Sequence, residues 1–226
     1  MTEERVVLLL SKCTLFRGIS PEERLRFLEK CPSQKVLTFR KEELVLSQGT
    51  PIGHLYILLD GLLRAEMITE QGDLLGIELL SPVFPLAPAL IFGEKSRFPV
   101  EVTAQEESTL LRISKGDFLD NLLENRTLLQ NFLAQNAAIT EFLTEKLQML
   151  SLKSLRKKVA LFLLRKIPKG EKSFTFLRTR TELAEFLGVR RQSLARVFKE
   201  LEDEGLINLE EDCVTILDRA RLARVE

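Results

Sequence analysis

LRTRTELAEFLGVRRQSLARVFKELEDEGLI, running from Leu177 to Ile207, decides the reading of this chain. It breaks into two short amphipathic segments on either side of Gly188. In the first, Leu183, Ala184, Phe186 and Leu187 share one helical face; in the second, Leu194, Val197, Phe198 and Leu201 do the same. The opposite face of the second segment carries Arg191, Gln192, Ala195, Arg196 and Lys199. An apolar stripe beneath a basic, amide-bearing face predicts a helix-turn-helix whose second helix enters a DNA major groove.

Working outward, Leu206–Leu209 and Val214–Leu217 flank Glu210–Glu211–Asp212, the pattern of a β-hairpin wing. Leu155–Lys166 upstream reads as a further amphipathic helix, stopped near Pro168–Lys169–Gly170, with a hinge at Ser151–Ser154 before it. A long helix is predicted from about Thr127 to Ser151, where Leu129, Phe132, Asn136, Ile139, Leu143, Lys146 and Leu150 alternate three and four apart. Leu128, Leu133, Phe142 and Leu147 form a second apolar edge. One edge suits packing within the subunit and the other a partner helix, with Asn136 favouring a single register.

From Lys35 to Ile113 the chain is strand-like. Short apolar or alternating runs at Lys35–Phe39, Leu44–Ser47, Leu55–Leu59, Leu62–Ile68, Leu74–Leu80, Phe98–Thr103 and Thr109–Ile113 are parted by turn residues such as Asp60–Gly61 and Gln71–Gly72–Asp73. This spacing predicts an antiparallel sandwich or roll. Before it, Ser20–Pro21–Glu22–Glu23 opens a helix with a capping box. The fold class is therefore α+β: a roll over residues 1–126, a dimerisation helix over 127–151 and a winged helix-turn-helix over 152–226.

Charge agrees with a polyanion partner at the C-terminal end. Residues 151–226 carry 17 Lys/Arg against 12 Asp/Glu, a net +5, while the preceding residues carry −5 and the whole chain is neutral. No run is apolar enough to span a membrane, and MTEERVVLLLSKC lacks the pattern of a signal peptide. Cys13, Cys31 and Cys213 are scattered, as expected of reduced thiols in the cytoplasm. With one histidine, no GxSxG, no phosphate loop and no paired-carboxylate motif in a plausible cleft, the chain is not expected to be an enzyme.

The whole chain resembles the Crp/Fnr family of bacterial transcription regulators. Gly49-Thr-Pro-Ile-Gly53-His-Leu-Tyr56-Ile57-Leu-Leu-Asp60-Gly61 is similar to a segment of the family's cyclic-nucleotide-binding-like roll. Thr179-Arg180-Thr181-Glu182-Leu183-Ala184 through Gly188, then Arg190-Arg191-Gln192-Ser193-Leu194-Ala195-Arg196, is similar to its DNA-binding motif. The resemblance implies a homodimer on double-stranded DNA with a near-palindromic operator and RNA polymerase as a further partner; a small-molecule effector, undefined or absent, stays open. It places Arg191, Gln192 and Arg196 at base edges and Arg180, Arg190 and Ser193 at phosphates, with Lys199 alongside. Leu129, Phe132, Asn136, Ile139, Leu143 and Leu150 are the dimerisation residues. Gln192 stands where the family often has an acid, so the half-site should differ at the base pair beneath it.

The nucleotide-phosphate cassette is degenerate. Pro85-Leu86-Ala87 replaces the family's Gly-Glu-(Leu/Ile), and Phe98-Pro99 stands where its Arg-Ser pair would be, so cyclic AMP is not the expected effector. Phe84, Leu86 and Phe98 are the candidate lining of an apolar effector pocket instead. The loss of the Glu and Arg is shared with haem-dependent members, which leaves haem as a possible cofactor although His54 is the sole histidine and sits in an expected turn. No metal site is expected, because an iron–sulfur centre needs about four thiolates. The alternative to a DNA-binding regulator is a haem- or ligand-binding sensor acting through protein contacts.

Overall fold

The computed structural model describes residues 1–68, 74–94, 96–167, 170–175, 180–210 and 213–225. The chain falls into two compact units, Met1–Ile139 and Thr140–Glu226. The expected turn at 71–73 and the tip of the wing at 211–212 lie outside the described residues, as do Pro168 and Lys169.

Unit one opens with α1 (Glu3–Leu10), which buries Val6 and Leu10. The sequence had not marked this helix. α2 (Pro21–Glu29) realises the capping box in full: Glu23 N–H donates to Ser20 Oγ, and the Ser20 amide donates to the Glu23 carboxylate. Two four-stranded antiparallel sheets follow. One is ordered β1 (Lys35–Phe39), β8 (Ser108–Ser114), β3 (His54–Asp60), β6 (Phe84–Leu86). The other is ordered β2 (Leu44–Leu46), β7 (Glu101–Ala104), β4 (Leu63–Ile68), β5 (Leu74–Leu80). Ile57, Leu58, Leu63, Leu110, Leu111 and Ile113 are completely buried in the core that these strands share with α1 and α2.

Two strand expectations change. The run Phe98–Thr103 is a strand only from Glu101, because Pro99 lacks an amide; before it, Phe98 and Ser96 bond back to Gly49, Thr50 and Ile52. β6, with proline at its centre, was not foreseen; as the edge strand of its sheet it tolerates the missing donor. At the β3–β4 turn Gly61 has φ +95°, and a Cβ there would come within 2.6 Å of the Ser108 Cα, so only glycine fits.

α3 (Lys115–Glu124) is capped by Ser114, whose Oγ accepts from the Asp117 amide. The Asp117 carboxylate in turn accepts from the Ser33 amide and hydroxyl, tying the start of β1 to the β8–α3 corner. Those bonds from Ser33, with Ser114 adding less, hold the Asp117 carboxyl below the usual range. α4 (Arg126–Ser151) starts within unit one, where Leu128 and Phe132 enter the core and Asn131 donates to the carbonyls of Leu15 and Arg17. The unit boundary thus falls inside α4 rather than at either of its ends.

Unit two holds α5 (Leu155–Lys166), β9 (Ser173–Thr175), α6 (Arg180–Leu187), α7 (Arg191–Asp203), β10 (Ile207–Glu210), β11 (Cys213–Ile216) and α8 (Arg219–Leu222). The wing hairpin β10–β11 gains a third strand, β9, paired with β11. Val159, Leu163, Ile167, Leu187, Leu201, Ile207, Val214 and Leu222 are fully buried together. Arg219 donates to the Leu164 and Ile167 carbonyls at the C-terminal end of α5.

Candidate nucleic-acid interface

The α6–α7 turn is built by its glycine. Gly188 has φ +68°, and the Val189 amide donates to Ala184 O at 2.9 Å, the six-to-one bond of a Schellman stop. The same device ends α7, where Gly205 has φ +69° and the amides of Leu206 and Gly205 reach Leu201 O and Glu202 O. Lys158 on α5, itself buried, donates from Nζ to Leu187 O at 3.3 Å and places a cation at the carbonyl end of α6.

α7 is thereby held by one face only. Leu194, Val197, Phe198 and Leu201 are buried, while Arg190, Arg191, Gln192, Ala195, Arg196 and Lys199 are exposed and Ser193 is half-buried. The side chain of Arg190, the N-cap residue of α7, makes no capping bond to the first turn. The face that would meet a partner thus offers guanidinium forks, one amide and the backbone donors of a helix start. These groups suit base edges and phosphate oxygens respectively. Arg180 begins α6, but its side chain and Thr179 lie outside the described residues.

Sequence reasoning missed three charged groups behind this face: Lys158, Arg156 and Glu204. Arg156 on α5 makes a two-pronged pair with Glu204, at 2.8 and 2.9 Å, and lies 3.8 Å from Glu200. The bond to Glu204 raises the Arg156 pKa, and Glu204 is lowered in return. Glu200 also pairs with Arg196. Arg196 and Glu200 were legible as an i, i+4 pair, whereas Arg156 and Lys158 reach α7 and α6 only through the fold.

On α4 the expected seam is rearranged. Phe132 is 9% exposed and packs edge-on against Phe92 and Phe118, each 5.6 Å away, so it serves the core of its own unit. Leu129 and Ile139 are half-buried, and Leu129 packs against the same core. Asn136 turns its amide to Phe132 O at 2.7 Å. Among the described side chains of α4, the exposed large apolar residues are Leu133 at 57%, Phe142 at 39%, Leu143 at 52% and Leu147 at 69%, of which only Leu143 belongs to the expected seam. Leu150 belongs to α4, but its side chain lies outside the described residues.

The candidate effector residues separate. Leu86 and Phe98 are buried in the core, with the Phe98 ring 6.1 Å from Tyr56, while Phe84 is exposed. The nearby Arg97 is spent on a bond from Nη1 to Gly49 O at 2.6 Å. A cavity of about 280 Å³ lies elsewhere in unit one, lined by Phe16, Phe27, Arg26, Lys30, Arg126 and Leu128 among others. His54 begins β3 rather than a turn; burial and then Arg112 lower its pKa. Burial pushes Cys13 up to about 11 and, with Asp117 adding to it, Cys31 up to about 12, so both stay protonated and poorly nucleophilic. Among the described residues no helix is long and apolar enough to cross a membrane.

Residues 36–125 match the cyclic nucleotide-binding domain, and residues 157–225 match the Crp-like helix-turn-helix domain. The chain is similar to a transcriptional regulator of Thermotoga maritima, 40% identical with a TM-score of 0.52, over 55% of this chain and 96% of that one. It is 27% identical to the cyclic AMP receptor protein of Thermus thermophilus over 93% of this chain and 95% of the relative. It is 26% identical to the transcriptional activator protein anr of Pseudomonas aeruginosa, over 81% and 77% respectively.

Proposed function

The chain belongs to the Crp/Fnr family of transcription regulators, and from that premise we propose that it reads a near-palindromic operator as a homodimer, one α7 in each of two successive major grooves. The observation that carries this reading is the free face of α7: Arg191, Gln192 and Arg196 stand exposed above four buried apolar residues that fix their orientation. Arg191 and Arg196 each match guanine O6 and N7, and Gln192 matches adenine N6 and N7. Arg180, Arg190, Ser193 and Lys199 serve the phosphates, helped by the backbone amides at the start of α7. The two copies meet along α4 through Leu133, Leu143 and Leu147, with Leu129, Asn136 and Ile139 at the margin.

In this reading residues 1–126 are the sensor, 127–151 the dimerisation helix and 152–226 the reader. The protein works in the cytoplasm with RNA polymerase and is not an enzyme. The effector is not cyclic AMP. The edge strand β6 presents Pro85 where a cassette amide would serve, Phe98 is buried, and Arg97 is engaged with Gly49.

The test is binding to a selected palindromic fragment against bulk DNA at several salt concentrations. Selective, salt-dependent binding that is lost when Arg191 and Arg196 are both changed to Ala supports the proposal. A purified protein that prefers no sequence, with or without candidate effectors, sinks it.

A further inference from the structure

Arg196 is 77% exposed, and a long side chain so free would visit many rotamers. It is not left free. Its Nε lies 3.5 Å from Glu200 Oε1, one turn further along α7. The other carboxylate oxygen, Glu200 Oε2, lies 3.8 Å from Nη1 of Arg156 on α5. Arg156 is itself fixed by Glu204, whose two oxygens take its two terminal nitrogens at 2.8 and 2.9 Å. A chain of alternating charge therefore runs from the rigid α5–α7 contact out to the base-reading face.

The geometry of the last link matters most. Engaging Arg196 at Nε leaves Nη1 and Nη2 as the open end of the guanidinium, the planar fork that bonds end-on to guanine O6 and N7. We propose that Glu200 is a positioning residue for base reading, orienting the Arg196 fork and so setting how strictly guanine is required beneath it. The inference rests on Arg196 being a base reader. An exposed ion pair of this kind adds little to stability. Its effect is on orientation, and it carries a cost, since a carboxylate beside DNA repels phosphate; Arg156 offsets part of that repulsion.

Opposed effects on affinity and discrimination make the proposal testable. Full-length wild type, Glu200→Ala, Glu200→Gln, Arg196→Ala and the Glu200→Ala/Arg196→Ala double variant are compared by binding selection on randomised half-sites, with affinity for non-specific duplex measured in parallel. Glu200→Ala should lower the guanine preference at the Arg196 base pair by roughly two- to tenfold, with other positions unchanged, while non-specific affinity holds or rises. Glu200→Gln, which keeps an acceptor oxygen beside Nε without the charge, should restore part of the preference. In the Arg196→Ala background, Glu200→Ala should have no further effect on discrimination. A structural role would lower affinity for all sequences alike and depress the melting temperature, and that result overturns the proposal. So does an unchanged guanine preference in Glu200→Ala when Arg196→Ala abolishes it. If Arg196→Ala itself leaves the preference intact, the base-reading premise is what fails.

Discussion

At the scale of single residues, the reading face and its supports call for different experiments. Gln192 both donates and accepts, whereas a carboxylate at that position only accepts and suits cytosine N4. Glu replacing Gln192 should therefore shift the preference at one base pair by about 1–3 kcal/mol and leave flanking positions alone, as scored by half-site selection. Identical selected half-sites for the two proteins would refute the role given to Gln192. Lys158 acts from behind. Changing it to Met leaves Leu187 O without its buried donor, which should cost about 1–3 kcal/mol of unfolding free energy in denaturant titration. That loss should weaken binding to all sequences in proportion to the unfolded fraction and leave their ranking unchanged.

At the scale of elements, α4 shows why half of this molecule was legible in sequence and half was not. Its heptad spacing announced a long helix with two apolar edges, and the helix runs as expected to Ser151. Which edge turns inward depends on what the roll presents to it, and periodicity holds no such information. Phe92 and Phe118 supply that surface, so Phe132 goes in and Leu133 stays out. The capping box at Ser20 and the stop at Gly188 were legible because each is a local bargain between a side chain or a φ angle and nearby backbone groups. β6 was hidden because its proline reads as a loop, and Lys158 because its partner is 29 residues away. If α4 is the dimer interface, changing Leu143 and Leu147 to Glu should convert the protein to monomer in sedimentation and abolish operator binding, with its secondary structure intact. A dimer that survives the double change places the interface elsewhere. The β8–α3 corner gives a second element-scale test. Because Ser33 holds the Asp117 pKa low, the stabilisation is present above the carboxyl's unfolded pKa and fades as pH falls through its folded value. Asp117→Asn should therefore melt lower than wild type at pH 7, with the gap closing in strong acid.

At the scale of the whole molecule, a chain that is neutral overall separates its charge along the sequence, with a net +5 in residues 151–226 and −5 in the rest. The consequence is a salt dependence that belongs to the reader alone, since each phosphate neutralised adds roughly 0.9 to the slope of log affinity against log salt. If Arg180, Arg190 and Lys199 each hold one phosphate in both copies of a dimer, the slope should be on the order of −5. Lys199→Ala then removes one contact per copy and should flatten the slope by about 2, while the order in which the protein ranks operator sequences stays fixed. Gln192→Glu should do the reverse and rerank sequences. It also adds a negative charge to the reading face, so its slope should change by less than that of Lys199→Ala, Gln192 facing bases rather than phosphates. The pair of measurements separates the two roles assigned to one helix face, because phosphate contacts carry charge without sequence and base contacts carry sequence. A Lys199→Ala protein that keeps the wild-type slope but reads a different base would show that the boundary between those roles had been drawn at the wrong turn of α7.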